Sequence, residues 1–96
     1  MFTDKEIKTV LKRNLPEIVD EVEINGHILD QMEAFDIISS EETRTNIESK
    51  QTRQDRTRAL YRLIQNSSHC DAGRIFLKAL YKEYNPLAKK ILEQLE

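Results

Sequence analysis

The sequence predicts an all-α fold, a six-helix antiparallel bundle with a kinked first helix, and three observations carry that expectation. Only two glycines and two prolines interrupt 96 residues, and a third of those residues are charged. Helix formers dominate, while tryptophan is absent and β-branched runs are few. Apolar residues recur at spacings of three and four, the period of a helix with one buried face. The length suits one domain over residues 1–96, with a single modest core and no linker, repeat or low-complexity tract.

The first helix opens at Thr3, where Glu6 completes a T-x-x-E capping box. Ile7, Val10, Leu11, Asn14, Ile18 and Val22 then form one stripe with a polar break at Asn14. Pro16 lacks an amide hydrogen and leaves the carbonyl of Lys12 without its usual partner, so the helix bends near Asn14–Pro16 into two shorter segments. Asn25-Gly26 ends the run. The second helix covers about 27–35, with Ile28, Met32 and Phe35 inward and Asp30 and Glu33 outward. Asp36-Ile37-Ile38 makes a tight connection whose isoleucines plug the core. Ser39 and Glu42 form a second capping box for a short third helix, about 40–49, with Ile47 inward.

Thr52 with Asp55 starts the fourth helix, which runs to about Gln65 and faces Thr57, Leu60, Leu63 and Ile64 inward. Arg58, Arg62 and Asp55 occupy its outer side. Asn66-Ser67-Ser68-His69 is a loop. The fifth helix covers about 71–84 and buries Ala72, Ile75, Phe76, Ala79 and Leu80. Asn85-Pro86 restarts the chain, asparagine as cap and proline in the first turn, and the last helix buries Leu87, Ile91 and Leu95.

Chemistry is sparse. His69 adjoins the lone cysteine, Cys70, but a working base must meet a thiol through geometry rather than succession, and a surface loop followed by a small buried residue is the plainer account. Two distant histidines and one cysteine do not make a zinc site, and Gly26 and Gly73 do not make a phosphate loop. No catalytic, metal-binding or cofactor-binding residues are therefore assigned, and an enzyme is not expected. One cysteine permits no internal disulfide, which suits a reducing, cytoplasmic setting. The amino terminus lacks the apolar run of a signal peptide, and no stretch of eighteen apolar residues occurs.

Charge is more informative. The net charge is −2, yet residues 1–16 carry four bases against two acids, residues 17–48 ten acids against Arg44 alone, and residues 49–96 ten bases against five acids. Opposite poles on one molecule steer it head-to-tail onto copies or relatives. Arg53, Arg56, Arg58 and Arg62 also suggest an alternative, a nucleic-acid-binding helix. The acidic middle segment would repel a polyanion, and Tyr61 is the one aromatic among those arginines.

Four strings in order then resemble the caspase recruitment domain (CARD) family of the death-fold superfamily, over about residues 5–95. VLKRNLPEIVDEV is similar to that family's bent opening helix, and HILDQMEAFDIISSEE to its second helix and acidic, serine-capped third. KQTRQDRTRALYRLI resembles the Arg-Ala-Leu fourth helix, and AGRIFLKALYKEYNPLAKKIL the ending. The resemblance implies homotypic assembly into oligomers or filaments that recruit caspases or adaptors in apoptotic or inflammatory signalling, with other CARD proteins and a second copy as partners. Carried over by position, it implies an acidic patch of Asp30, Glu33, Asp36, Glu41 and Glu42 and a basic patch of Lys12, Arg13, Arg53, Arg58 and Arg62. Leu15 stands where the family often has arginine, and Pro16 is unusual at the bend, so the first helix contributes through Lys8, Lys12 or Arg13. The resemblance also implies a module cut from a larger protein, whether caspase, apoptosome-type scaffold, innate immune receptor or CARD-only regulator.

Overall fold

A computed structural model describes residues 2–95. Its helices are α1 (Asp4–Arg13), α2 (Leu15–Glu21), α3 (Gly26–Ala34), α4 (Glu41–Glu48), α5 (Arg53–Asn66), α6 (Ala72–Glu83) and α7 (Asn85–Glu93), with no strand among the described residues. Six were expected and seven are counted, because the bent first helix is α1 and α2. Asn14 is the hinge, at φ −101° and ψ 10°, and Pro16 falls in the first turn of α2, where its missing amide hydrogen costs nothing.

α6 is the central helix, packing against α1, α3, α5 and α7, while α5 also holds α2 and α4. Its small residues allow close approach. A Cβ on Gly73 would lie 3.1 Å from Asp4 Oδ1 and 3.3 Å from Ile7 Cγ2, so a larger residue there would make these α1 side chains shift by a few tenths of an ångström. α6 has no side-chain cap of its own; Asp4 of α1 supplies one, accepting the Arg74 amide hydrogen at 3.1 Å. Phe76, Leu80, Leu11, Ile18, Ile28, Met32, Leu60 and Ile64 lie at the centre of the core.

The Thr3–Glu6 capping box forms in both directions, and Thr52 caps α5 through the Asp55 amide. Three expected details differ. α4 is capped by Ser40, which accepts from the Thr43 amide at 3.1 Å, rather than by Ser39 with Glu42. With the cap one residue later, Glu42 sits at the second helical position, too early to reach back. Asn85 lies inside α7 and Tyr84 is the capping position, because the chain breaks at Tyr84 (φ −127°, ψ 56°).

The third difference is Phe35, expected inward but 49% exposed. It closes α3, and the next residue, Asp36, takes a left-handed conformation at φ 62°. The Asp36 amide then donates to the Glu33 carbonyl (3.0 Å) and the Ile37 amide to the Met32 carbonyl (2.9 Å). That pair of bonds is a Schellman ending. It turns Ile37 and Ile38 into the core, as expected of them, and turns Phe35 out. Leu29, Tyr61, Leu77 and Ala88 also join the core, while Leu63, Ile75 and Leu95 are only half-buried.

Candidate functional surfaces

Three long-range hydrogen bonds set α5 antiparallel along α1 and α2. Gln65 Nε2 donates to the Lys8 carbonyl (2.9 Å), Thr57 Oγ1 to the Val22 carbonyl (3.0 Å) and Arg53 Nη2 to the Asp20 carbonyl (2.8 Å). Leu15 and Arg58 face each other across this contact, and Arg53 and Arg58 border the α2–α5 seam. Lys12, Arg58 and Arg62 are exposed and Arg53 is half-buried. Between α2 and α5 the seam holds a hollow of about 430 Å³, lined by Leu15, Pro16, Val19, Asp20, Gln54 and Arg58.

Arg13, the fifth expected base, borders a separate depression with Thr9, Gln94 and Leu95, on the α7 side of α1. Residues 12 and 13 are a hundred degrees apart on a helix, so Lys12 and Arg13 face different directions. Lys8, another candidate on α1, is already engaged with the Ser67 carbonyl at 3.1 Å and with Asp4 at 3.5 Å.

Of the expected acidic residues, Asp30 and Glu33 lie on α3, Glu41 and Glu42 on α4, and Asp36 in the connection between them. Arg44, the lone base of that stretch, reaches from α4 to Asp30 (2.7 Å) and Glu33 (3.1 Å) of α3, and to Glu48 at 3.6 Å. The hydrogen bond to Asp30, above all, raises the affinity of the Arg44 guanidinium for its proton. One cation thus partly neutralises two patch carboxylates while locking their helices together. Asp36, Glu41 and Glu42 form no ion pair among the described residues. Glu41 and Glu42 flank a shallow depression at the start of α4 with Ser40, Thr43 and Asn46. On the basic side, Arg58 meets Asp55 at 3.0 Å, a contact within one helix between two half-exposed groups.

Cys70, expected to be buried, is exposed, and its thiol lies 3.7 Å from Asp71 Oδ2. His69 Nδ1 accepts the Asp71 amide hydrogen at 3.0 Å, so that nitrogen serves the backbone rather than the thiol. A groove of about 320 Å³ between α1, α6 and α7, not foreseen from the sequence, has an apolar floor that includes Ile7, Leu77 and Leu92. No carboxylate, histidine, serine or cysteine is among its lining residues. Tyr61 is buried against the core and offers no stacking face to a nucleic-acid base.

A family model, Caspase recruitment domain, matches residues 8–94, which spans both surfaces. The chain belongs to the CARD family. Its helical bundle is the death fold, and CARDs are protein-interaction domains that bind other CARD or death-fold domains. No curated protein and no solved structure matches the chain. No helix among the described residues of this CARD is long and apolar enough to cross a membrane.

Proposed function

We propose that this CARD is a homotypic docking module occupying residues 1–96 as one domain, in which the α3–α4 acids of one copy or relative meet the α1 and α5 bases of the next. The contact would use Asp30, Glu33, Asp36, Glu41 and Glu42 against Arg53, Arg58 and Arg62 with Lys12, and Arg13 at its margin. The observation that carries this reading is the separation of the named charges: acids on α3, α4 and the turn between them, bases on α5 and at the end of α1.

Energetics suit a switch. Exposed ion pairs are worth ~0–1 kcal/mol each, so a single contact is weak. A contact between unlike surfaces that does not close into a ring repeats into an open assembly held by avidity. Such an assembly would gather caspases or adaptors in apoptotic or inflammatory signalling, in a cytoplasmic setting that suits the exposed, reduced Cys70.

Reversing charge tests the reading. Arg58→Glu or Glu33→Lys should weaken self-association or capture of a CARD partner in solution while the circular dichroism spectrum stays helical. Both variants associating as well as the parent would overturn the assignment.

A further inference from the structure

The outer face of α6 is a row of bases. Arg74, Lys78 and Lys82 follow one another at four-residue spacing, so they stand in line over about 12 Å of helix. Glu83, the one acid of α6, lies at its far end and accepts a hydrogen bond from the Asn25 amide at 2.9 Å. Lys78 and Lys82 are exposed and form no ion pair among the described residues. Arg74 is already engaged, with Asp71 at 3.6 Å and with the Phe2 carbonyl.

The two large apolar side chains exposed among the described residues, Phe35 and Tyr81, stand on either side of this row. Tyr81 lines the α1–α6–α7 groove, and Phe35 lines a second recess with Gln31, His69 and Ile75. Arg74 and Lys78 border both hollows and so stand between them. In the groove the bases overlook aliphatic side chains with no carboxylate among them. In the recess Asp71 is the acid, and Arg74 pairs with it.

We infer that this face docks an acidic peptide segment of a partner protein, its carboxylates along Lys78 and Lys82 and a large apolar side chain in the α1–α6–α7 groove. Charge complementarity argues for the acids, and the groove argues for the apolar anchor: about 320 Å³ floored by Ile7, Leu77 and Leu92 is ample for a leucine or phenylalanine side chain. A nucleobase there would leave its polar edge without partners. A single-headed amphiphile would meet one base of the row and leave the next unused, whereas a peptide repeats its carboxylates along the helix. Apolar anchors in desolvated pockets carry much of the energy of an interface, and the charged rim steers approach. None of the charges in the homotypic contact above belongs to this face, so the two readings stand or fall separately.

The test uses the whole chain and a short labelled peptide of glutamates around a central leucine and phenylalanine. Fluorescence anisotropy at low salt should show binding. Lys78→Glu with Lys82→Glu should weaken it by about tenfold or more, with an unchanged helical spectrum because both side chains are exposed. A peptide with alanine in place of leucine and phenylalanine should bind more weakly by a similar factor. Amide signals of α6 and of Leu92 should shift on binding, and Arg58→Glu should bind the peptide as the parent does. No binding, binding that ignores the lysine reversals, or an alanine peptide that binds equally well would overturn the proposal. So would a parent that takes up oligouridylate or phosphatidylserine vesicles through these lysines and leaves the peptide unbound.

Discussion

Asn14 and Gln94, 80 positions apart, exchange two amide hydrogen bonds: Asn14 Nδ2 donates to Gln94 Oε1 at 3.0 Å, and Gln94 Nε2 donates to Asn14 Oδ1 at 3.1 Å. Asn14 is 4% exposed and also donates to the Val10 carbonyl at 2.8 Å. The polar break in the first apolar stripe is therefore satisfied, and it pins the α1–α2 bend to the end of α7. Replacing Gln94 by Ala leaves a buried amide short of partners and should cost about 1–3 kcal/mol in chemical denaturation. The double variant Asn14→Leu/Gln94→Ala removes both partners and should cost less than the sum of the two single losses in a double-mutant cycle.

Thr57 ties α5 to the end of α2. Its hydroxyl, fully buried, binds the Val22 carbonyl at 3.0 Å and the Arg53 carbonyl at 3.1 Å. Thr57→Val keeps the volume but strands the carbonyl that ends α2, and a loss of about 1–3 kcal/mol is expected. Thr57→Ser, which restores the donor, should recover part of it. Equal stability of the Val variant and the parent would contradict the role given to this bond.

Asp36 separates stability from association. A left-handed conformation strains a side-chain-bearing residue, so Asp36→Gly should raise the melting temperature, by an amount equivalent to about 0.5–1 kcal/mol. The same change deletes a carboxylate beside Phe35 and should weaken docking. A variant that melts higher and associates as strongly would remove Asp36 from the proposed patch.

Arg44 acts in the opposite sense. Arg44→Gln unclasps Asp30 and Glu33, makes the α3–α4 face more negative, and should strengthen binding to a basic partner at low salt. The gain should fade as added salt shortens the screening length. Loosening of α4 against α3 is the accompanying cost, visible as faster amide exchange in α4.

Glu6 provides a pH dependence. The Thr3 amide hydrogen first, and then the Thr3 hydroxyl, hold its carboxyl below the ordinary glutamate range. Lowered affinity for protons in the folded chain means that the stabilisation is complete above the ordinary range. It is lost as pH falls through the folded value. The first turn of α1 should thus loosen in acid, read by amide exchange at residues 4–7, and Glu6→Gln should flatten that response. An unaltered acid response in the variant would assign the effect to another carboxylate.

Much of this was legible from local chemistry. The capping box at Thr3, the break at Asn14–Pro16, the stripe from Ile7 to Val22 and the plugging isoleucines are all set by residues within a turn or two of one another. Phe35 was misread because its position fits the apolar period of α3, whereas the left-handed step at Asp36 ends that period one residue early. Ser40 displaced Ser39 as cap for a similar reason, since either serine can offer an oxygen and the entry angle of the chain selects between them. Cys70 was expected inside on its residue type alone; the loop carries it out.

By itself, the order of residues determined an all-helical chain, the sides each helix turns inward, and blocks of opposite charge, because periodicity and caps act over a few residues. Only tertiary structure decided that Arg44 clasps Asp30 and Glu33, that Arg13 lies beside the end of α7, and that Gln94 answers Asn14. Those outcomes depend on which helices lie side by side. That packing is fixed by burying the whole core at once, and no stretch of sequence shorter than the domain contains it.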